Sequence, residues 1–448
     1  MRFPSGMRQQ LTDLYWESDW LQWLYSSGTI YGGRVLENWT DPYSSLVRIC
    51  NAVRRIRDPD LRVSRLRMFS DYLGRQFGSH PPRTLEKNLF VKSFLKSDEA
   101  EKARGIWRKY SLQERLNLRG NLIVLKAPLK NERGVLLLTY TAASHFFLVN
   151  FDVGEISKRY AIVLEPSWAT FPEPYMGLFS CSEPHTVCEM ISAEAAEAVG
   201  KAQIPVLPIG IGAQDWVDTE VFKPLPEVRK DFDVVMIANF APWKRHDVLF
   251  RAMQKLRPRR IRVALVGVTW ERTREEFEQE IRRYGIQDDC TVFQRIPPAQ
   301  VNEILNRSKV KVLLTKIEGA NRALSEAMSA NVPVLVYKHI VGPRRTDINP
   351  MTGMYADDDE LPDVLMRAIE SYKRFQPRAW YLQNSGYQNS TSTLNEALRL
   401  AAHARNENWT TDIVGKVNRP NAEYVRAADR ASLEPAWREL EEFVCGLG

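Results

Sequence analysis

Residues 310–337 read VKVLLTKIEGANRALSEAMSANVPVLVY, and this stretch decides the fold. Positions 310–315 form a short apolar run rich in β-branched residues, which predicts a strand buried on both faces. Positions 322–328 contain strong helix formers, and Asn321 immediately before them predicts an N-cap. Positions 334–337 predict a second buried strand, so the stretch is organised as strand, loop, helix and strand.

The two ends of this predicted helix differ in chemistry. Asn331 stands where a helix closes in a left-handed residue, and Pro333 prevents the helix from continuing. Glu318 and Glu326 lie eight positions apart and bracket the helix start. Because a helix start offers free backbone N–H groups and the positive end of the helix dipole, we expect it to bind an anion such as a diphosphate.

Length and composition limit the class of protein. A chain of 448 residues predicts two domains, and a hydrophobic content of 44% with 26% charged residues is typical of a globular protein. The formal net charge of +7 favours anionic partners, which include nucleotide-sugars, lipid headgroups and nucleic acids. The same excess of positive charge is also compatible with an ordinary solvated surface.

Cysteine and histidine usage predicts neither disulfides nor a metal site. The five cysteines are odd in number and form no Cys-x-x-Cys pair, and the six histidines show no ligand spacing. The first residues lack the apolar core of a signal peptide, and the longest apolar runs are only as long as strands. We therefore expect a cytoplasmic protein that binds no metal.

Four regions are predicted along the chain. The first, 1–115, is a mainly helical extension, and 116–228 begins an α/β pattern that is expected to form a first Rossmann-like domain. In 229–395 strands and helices alternate regularly, which predicts a parallel, doubly wound sheet in a second Rossmann-like domain. The last region, 396–448, is expected to be a helical segment.

Segment 46–77 is the most basic part of the predicted helical extension. Its arginines alternate with Leu, Ile, Val and Met, a pattern that can place a basic amphipathic helix on an anionic membrane surface. Two other interpretations are a solvated helix face that packs on its own domain and an electrostatic contact with nucleic acid. We expect peripheral membrane contact to be the functional alternative, and no nucleic-acid partner.

Several motifs occur in the order that is found in one enzyme family. Over residues 205–375 the chain resembles the donor-binding domain of retaining GT-B glycosyltransferases, the glycosyl transferases group 1. The resemblance is carried first by an E-x7-E motif (Glu318 and Glu326), which continues as Glu-Ala-Met at 326–328 and Val-Pro-Val at 332–334. It is also carried by a lysine after a strand end (Lys244), a junction signature at 217–224 and a glycine (Gly267). The fold implied is α/β with two Rossmann-like domains and a C-terminal helix that returns to the first.

The resemblance implies a metal-independent enzyme of polysaccharide biosynthesis. It would transfer a hexose from a nucleotide-diphosphate sugar to a hydroxyl of a glycan or glycolipid, with retention of configuration and without a cofactor. In the family, the residue matched by Lys244 neutralises charge on the leaving phosphate, and those matched by Glu318 and Glu326 bind hydroxyls of the donor sugar and the ribose. His145 lies where family members place a histidine near the sugar. Lys244, Glu318 and His145 are therefore the predicted catalytic residues.

The predicted donor site includes the loop between the two carboxylates. With Glu326, its members are Gly319, Ala320, Asn321, Arg322, Asn239, Arg245 and Gly267. Asn239 is a departure, because the family often has a phosphate-binding arginine at this position, and Arg245 or Arg322 would then supply the missing charge. Lys316 is a second departure, since a small hydroxyl residue is common there.

The first domain contributes the predicted acceptor side. Glu165 and Trp168 follow one of its predicted strands, and a carboxylate with a stacking aromatic ring suits a sugar acceptor. An ordinary structural loop is the alternative for both residues. A capping or packing role is the alternative for His145.

The same departures allow a second hypothesis for the whole protein. A catalytically degenerate protein of the GT-B fold would bind a nucleotide-sugar or act as a scaffold without turnover. Asn239 and Lys316 motivate this hypothesis, and turnover of a labelled donor distinguishes it from the enzyme.

Overall fold

A computed structural model of the chain describes most of residues 41–443. Apart from six positions between 21 and 29, the described residues are 41–56, 58, 60–65, 89–109, 121–169, 171, 173–181, 186–189, 196–197, 199–200, 206–270, 272–419 and 421–443. Most of the predicted helical extension before residue 41, and the 66–77 part of the basic segment, lie outside the described residues.

The chain forms two compact units. Unit 1 comprises Met1–Ala213 and Ser390–Gly448, and unit 2 comprises Gln214–Asn389. The predicted domain boundary at 228 lies inside unit 2, and the predicted boundary at 395 lies shortly after its end.

Three continuous helices of seven residues or more precede the sheet in the described part of unit 1. They are α1 (Pro42–Val53), α2 (Leu89–Leu95) and α3 (Asp98–Lys109). Asp41 caps α1, since its carboxylate accepts a hydrogen bond from the Ser44 N–H over 3.2 Å. The buried ring of Tyr43 contacts Phe90 and Phe94 of α2 edge-on, with centroid distances of 5.5 and 5.1 Å, so aromatic packing joins α1 to α2.

The described part of unit 1 contains a five-stranded sheet with helices between its strands. In chain order the elements are β1 (Leu122–Lys126), β2 (Gly134–Thr139), α4 (Tyr140–Asn150), α5 (Val153–Arg159), β3 (Tyr160–Glu165), β4 (Thr186–Glu189) and β5 (Val206–Ile209). The strands lie side by side in that same order. Strand β1 is antiparallel to β2, whereas β2 to β5 are parallel, so this sheet is mixed and its strand order does not reverse.

Unit 2 is built on a sheet of six parallel strands in its described residues. In chain order the elements are β6 (Phe232–Ile237), α6 (His246–Lys255), β7 (Val263–Gly267), α7 (Arg274–Arg283), β8 (Cys290–Gln294), α8 (Pro298–Arg307), β9 (Ser308–Leu313), α9 (Arg322–Ser329), β10 (Val334–Tyr337), β11 (Gly353–Ala356), α10 (Leu361–Ser371) and α11 (Pro377–Asn384). The order across the sheet is β11-β10-β9-β6-β7-β8, so the winding reverses between β6 and β9. The predicted α/β class with parallel sheets is confirmed.

Alternate residues of the central strands of unit 2 face two different cores. Val234 and Val312 lie in a core that includes side chains of α6, α7 and α10. Val235 and Leu313 lie in the core on the opposite face, with side chains of α8 and α9. Because helices cover both faces, the strands are nearly continuous apolar runs, which made them recognisable in the sequence.

The 310–337 stretch folds as the sequence predicts. It contains β9 from Val310 onward, then α9 and β10, and Asn321 Oδ1 accepts a hydrogen bond from the Leu324 N–H over 2.9 Å as the N-cap of α9. Asn331 has a φ of +61°, which confirms the left-handed residue that closes this helix.

The last part of the chain belongs to unit 1. Its elements are α12 (Tyr387–His403), β12 (Lys416–Arg419), β13 (Asn421–Tyr424) and α13 (Ala427–Glu439). The Tyr160 hydroxyl donates to Ala436 O over 2.9 Å, and the Tyr424 hydroxyl donates to Val124 O over 2.7 Å. The β12–β13 hairpin is a difference from the wholly helical segment predicted for 396–448.

In the described part of segment 46–77, some arginines are exposed to solvent and others contact the protein. Arg48 and Arg55 are exposed. Arg54 turns inward, with its guanidinium 4.7 Å from the ring centroid of Trp168 and 3.9 Å from Glu173. No helix among the described residues is long and apolar enough to cross a membrane. Peripheral membrane contact stays a prediction.

The left-handed residue after α9 can be tested by substitution. Asn331→Ala should lower the free energy of unfolding by about 1–2 kcal/mol, because alanine is disfavoured at positive φ. It also removes the contact of the Asn331 side chain with the Arg378 N–H at 3.3 Å. Asn331→Gly should cost less, since glycine adopts positive φ readily. Chemical denaturation measures both, and equal losses would contradict the conformational explanation.

Candidate functional site

The site lies at the carboxyl ends of β6 and β9, where the winding of unit 2 reverses. Ligands of open α/β sheets bind at such positions. Lys244 ends a 3-10 turn (Pro242–Lys244) that follows β6, and Glu318 lies in the loop that follows β9. Lys244 Nζ donates to Glu318 Oε2 over 2.6 Å, and the two side chains are 15% and 17% exposed. Two of the predicted catalytic residues therefore meet in one accessible ion pair.

The loop that carries Glu318 is fixed by backbone contacts to the segment after β10. The Glu318 N–H donates to Val341 O over 2.9 Å, and the Val341 N–H donates to Lys316 O over 3.0 Å. Gly342 follows with a φ of +126°, and a Cβ there would lie 1.7 Å from Glu318 O. Only glycine therefore permits this close approach, which holds the carboxylate in place.

Arg245 is engaged inside the protein. Its φ is +60°, and the residue is 5% exposed. Its Nη1 donates to Leu314 O over 2.9 Å, its Nη2 pairs with the carboxylate of Asp358, and its guanidinium lies 4.8 Å from the ring centroid of Tyr337. These contacts join the start of α6 to β9 and β10. The geometry therefore favours a structural role over the predicted contact with donor phosphate, which remains a prediction.

A pocket of about 390 Å³ lies at the ends of β6, β7 and β8 and the start of α9. Its polar lining consists of Asn239, Lys244, Arg295 and Arg322, and its other lining residues are Ile237, Ala238, Val266, Gly267, Val268 and Ile296. Three of the lining side chains are cations, so the pocket suits an anionic ligand. Asn239, Lys244, Gly267 and Arg322 were predicted as site residues and are brought together here.

The sequence analysis did not identify Arg295. It directly follows β8 and has a φ of +53°, and its N–H donates to Gly267 O over 3.2 Å. The only signal in the sequence is an arginine between a short strand and Pro297, which is weak. Gly267 is required for packing as well, because a Cβ there would lie 2.0 Å from Ala238 O.

The start of α9 borders the same pocket. Asn321 caps the helix, and Arg322 is its first residue and part of the pocket lining. Gly319 is buried and Ala320 is partly buried in the loop that leads from Glu318 to the cap. Their predicted contacts with a donor involve backbone groups and stay predictions.

A buried lysine lies on the strand beneath α9. Lys311 alternates along β9 with Val312, which faces the opposite core, so its side chain points to the α9 side of the sheet. It is 0% exposed, and its Nζ has no hydrogen-bond partner among the described residues. Burial lowers the pKa of Lys311 to about 7, an effect that Glu318 and Glu326 oppose and Lys244 reinforces. The sequence analysis missed this residue.

Glu326 lies on α9 and is partly buried. Burial raises the pKa of its carboxyl group, whereas the positive charges of Arg322 and Lys311 lower it. The carboxylate makes no hydrogen bond with any residue that the structure describes, so its oxygens are open to hydroxyl donors.

His145, the third predicted catalytic residue, lies on α4 in unit 1 among aromatic side chains. Its ring centroid is 5.1 Å from that of Tyr175 and 5.8 Å from that of Phe94, and its Nε2 is 3.4 Å from the Tyr43 hydroxyl. Burial lowers its pKa to about 4, although Glu99 opposes the effect, so the ring is neutral at physiological pH. This setting suits packing, and its contact with a sugar stays a prediction.

Glu165 and Trp168 have structural partners in unit 1. The Glu165 and Lys416 side chains form an ion pair in which both are 0% exposed. Asn418 Nδ2 donates to the other carboxylate oxygen of Glu165 over 3.1 Å. With both oxygens engaged, the geometry favours a structural role for Glu165, and its contact with an acceptor stays a prediction. Trp168 is partly buried against Arg54, and its contact with an acceptor stays a prediction.

Among the residues that the structure describes, no three His, Cys, Asp or Glu side chains are grouped to hold a metal ion. The acidic run 357–359 is partly engaged in other contacts. Asp358 pairs with Arg245, and the Asp357 carboxylate lies 2.9 Å from His339 Nε2.

Residues 217–389 match the sequence profile of the family "Glycosyl transferases group 1". The matched segment contains the pocket, the Lys244–Glu318 pair and Glu326. A comparison with curated protein sequences finds no match.

Several solved structures are similar to part of this chain. Anabaena Alr3699/HepE in complex with UDP has 17% sequence identity and a TM-score of 0.47, and the match covers 59% of this chain and 78% of that one. Sucrose-phosphate synthase from Thermosynechococcus elongatus has 14% identity and a TM-score of 0.47, with coverage of 60% and 73%. A glycosyltransferase from Rickettsia africae has 15% identity and a TM-score of 0.44, with coverage of 56% and 79%.

Lys311→Met should remove a pH dependence of stability that the wild type shows. The pKa of Lys311 is about 7 in the folded protein and ordinarily 10.5. Between these values the unfolded chain holds a proton that the folded protein lacks. Wild-type stability should therefore rise with pH by up to about 1.4 kcal/mol per unit. The variant should melt above the wild type near about pH 6, and its advantage should shrink toward about pH 9.

Thermal melting of unit 2 over this pH range measures the difference. Lys255→Met, at an exposed lysine that ends α6, is the matched control and should show no such trend. A melting difference for Lys311→Met that does not change with pH would contradict the depressed pKa.

The buried Glu165–Lys416 pair gives a second prediction. Lys416→Met should destabilise unit 1 by about 3–5 kcal/mol, because it leaves a buried carboxylate without its counter-charge. The double variant Glu165→Gln/Lys416→Met should lose much less, since no uncompensated charge remains. A double-mutant cycle of unfolding free energies measures the coupling, and additive losses would show that the two charges act independently.

Proposed function

We propose that this protein is a glycosyltransferase that moves a hexose from a nucleotide-diphosphate sugar to a hydroxyl of a glycan or glycolipid, with retention of configuration and without a metal ion. The observation that carries the proposal is the Lys244–Glu318 ion pair beside a cationic pocket, inside the segment that matches the glycosyl transferases group 1.

The pocket supports a role in binding the diphosphate. Lys244 and Arg322 line it, and the start of α9 offers backbone N–H groups with the positive end of the helix dipole. A diphosphate carries negative charge on several oxygens, so it suits cations and amides that converge from two sides.

The two carboxylates support recognition of hydroxyl groups. We assign Glu326 to the ribose hydroxyls and Glu318 to hydroxyls of the donor sugar, as the E-x7-E resemblance implies. An ionised carboxylate only accepts hydrogen bonds, whereas a sugar hydroxyl can donate one, so the residue types are complementary. Lys311 and Arg322 support the ionised form of Glu326, because both lower its pKa.

The chemical step breaks the bond between the sugar C1 and the diphosphate oxygen. The acceptor oxygen bonds to C1 on the same face that the leaving group departs from, and the acceptor proton passes to a departing phosphate oxygen. Negative charge grows on the leaving phosphate during this step. Lys244 can stabilise that charge, while Glu318 orients its ammonium group through the 2.6 Å hydrogen bond.

Unit 1 is the proposed source of acceptor contacts. His145 is neutral at physiological pH and Trp168 retains partial exposure, so both can contact a sugar without desolvating a charge. Peripheral attachment to an anionic membrane through 46–77 would suit a glycolipid acceptor. We also propose that the protein works in the cytoplasm.

Lys244→Ala and Glu326→Ala should abolish transfer while leaving the fold intact. Removing Lys244, which stabilises charge in the transition state, should lower kcat by about 10²–10³-fold, and removing Glu326 takes away the acceptor of the ribose hydroxyls. Turnover of a panel of labelled nucleotide-sugars, measured with circular dichroism of each variant, tests this. Lys255→Ala, at an exposed lysine in the same unit, is the matched control and should retain full turnover.

Two results would contradict the enzyme proposal. Unchanged turnover in both variants would remove Lys244 and Glu326 from the mechanism. Binding of a nucleotide-sugar, seen as a raised melting temperature, without turnover in the wild type would favour the degenerate binding or scaffold protein. The neutral Asn239 in the pocket lining is the observation that keeps this alternative.

A further inference from the structure

The pocket lacks a cation at one position of its lining. Asn239 lies two residues after the end of β6 and lines the pocket with a neutral amide. A diphosphate bound there would meet Lys244 and Arg322 but no third charge from the β6 side. Arg245 and Arg295 are other arginines near the pocket, and one of them would have to supply that charge.

Arg245 is not available for this purpose. Its guanidinium donates to Leu314 O, pairs with Asp358 and stacks over Tyr337, and the residue is 5% exposed. Turning it toward the pocket would break each of these contacts at once.

Arg295 has the opposite properties. It lines the same pocket as Asn239, it is exposed, and its side chain makes no hydrogen bond or ion pair with a described residue. Its φ of +53° is a conformation that non-glycine residues seldom adopt, and arginine has no intrinsic preference for it. Its backbone N–H is held by Gly267 O over 3.2 Å, whereas its side chain is not held by any described residue, and non-glycine residues in such conformations cluster at ligand-binding sites.

We propose that Arg295 is a ligand-binding residue that supplies the guanidinium that position 239 lacks, and that it binds the diphosphate of a nucleotide-diphosphate donor. The inference rests on the proposed function and adds a specific residue to it. A guanidinium offers paired N–H donors that match two phosphate oxygens, which a neutral amide at 239 does not provide.

The test compares the affinities of UDP, GDP and ADP for the full chain and its variants by calorimetry. Arg295→Asn removes the charge and keeps a residue that tolerates positive φ, so it should weaken binding by about ten-fold or more with an unchanged or raised melting temperature. Arg295→Lys keeps the charge without the paired donors, so its affinity should lie between those of the wild type and Arg295→Asn. Arg283→Gln removes an exposed arginine from α7 and is the matched control for net charge.

A rescue variant makes the test specific. Asn239→Arg in the Arg295→Asn background should restore affinity to within about three-fold of wild type, because it returns a guanidinium to the same pocket. Absence of rescue would overturn the idea that Arg295 stands in for position 239. Loss of affinity in Arg295→Asn with a lowered melting temperature, and an equal loss in Arg295→Lys, would show a structural role and overturn the proposal.

The outcomes separate this inference from the proposed function. If the wild type binds a nucleoside diphosphate and Arg295→Asn binds it equally well, the inference fails and the donor class stands. If the wild type binds none of the three, the proposed function fails and the inference fails with it.

Discussion

The ion pair between Lys244 and Glu318 joins two loops that leave neighbouring strands, β6 and β9, which wind to opposite sides of the sheet. Its geometry depends on contacts made elsewhere in unit 2. Gly342 allows the backbone after β10 to approach Glu318, and Arg245 fixes the start of α6 against Leu314. The two side chains are thus held by backbone and buried contacts, so the ion pair is organised before any ligand binds.

The charges of Lys311, Glu326 and Arg322 lie near this ion pair and influence one another. Lys311 lies fully buried on β9, and its low pKa arises because burial outweighs the attraction of Glu318 and Glu326. In a medium of low dielectric each of these charges acts strongly on its neighbours. The ionisation of Glu326 therefore depends on Lys311 and Arg322, and an anionic ligand beside Arg322 would shift that balance.

The repeating strand–helix pattern of unit 2 was predictable because each strand is buried by helices on both faces and is therefore continuously apolar. The N-cap at Asn321 and the left-handed Asn331 were predictable because asparagine carries a local preference for both positions. Features that depend on contacts between distant parts of the chain were not predictable from the sequence. Glu165 reads as an exposed carboxylate after a strand, yet its partner Lys416 is 251 positions away.

Arg245 and Arg295 have similar backbone conformations but different side-chain contacts. Arg245 and Arg295 both adopt left-handed backbone after strands of the same sheet, and neither could be predicted to do so. At Arg245 three contacts of the guanidinium offset the strain, as expected for a structural residue. At Arg295 the backbone N–H donates to Gly267 O, but the side chain has no described partner and borders the cationic pocket. Because non-glycine residues in this conformation cluster at ligand-binding sites, the contrast supports the proposed binding role of Arg295 at the β8 side of the pocket.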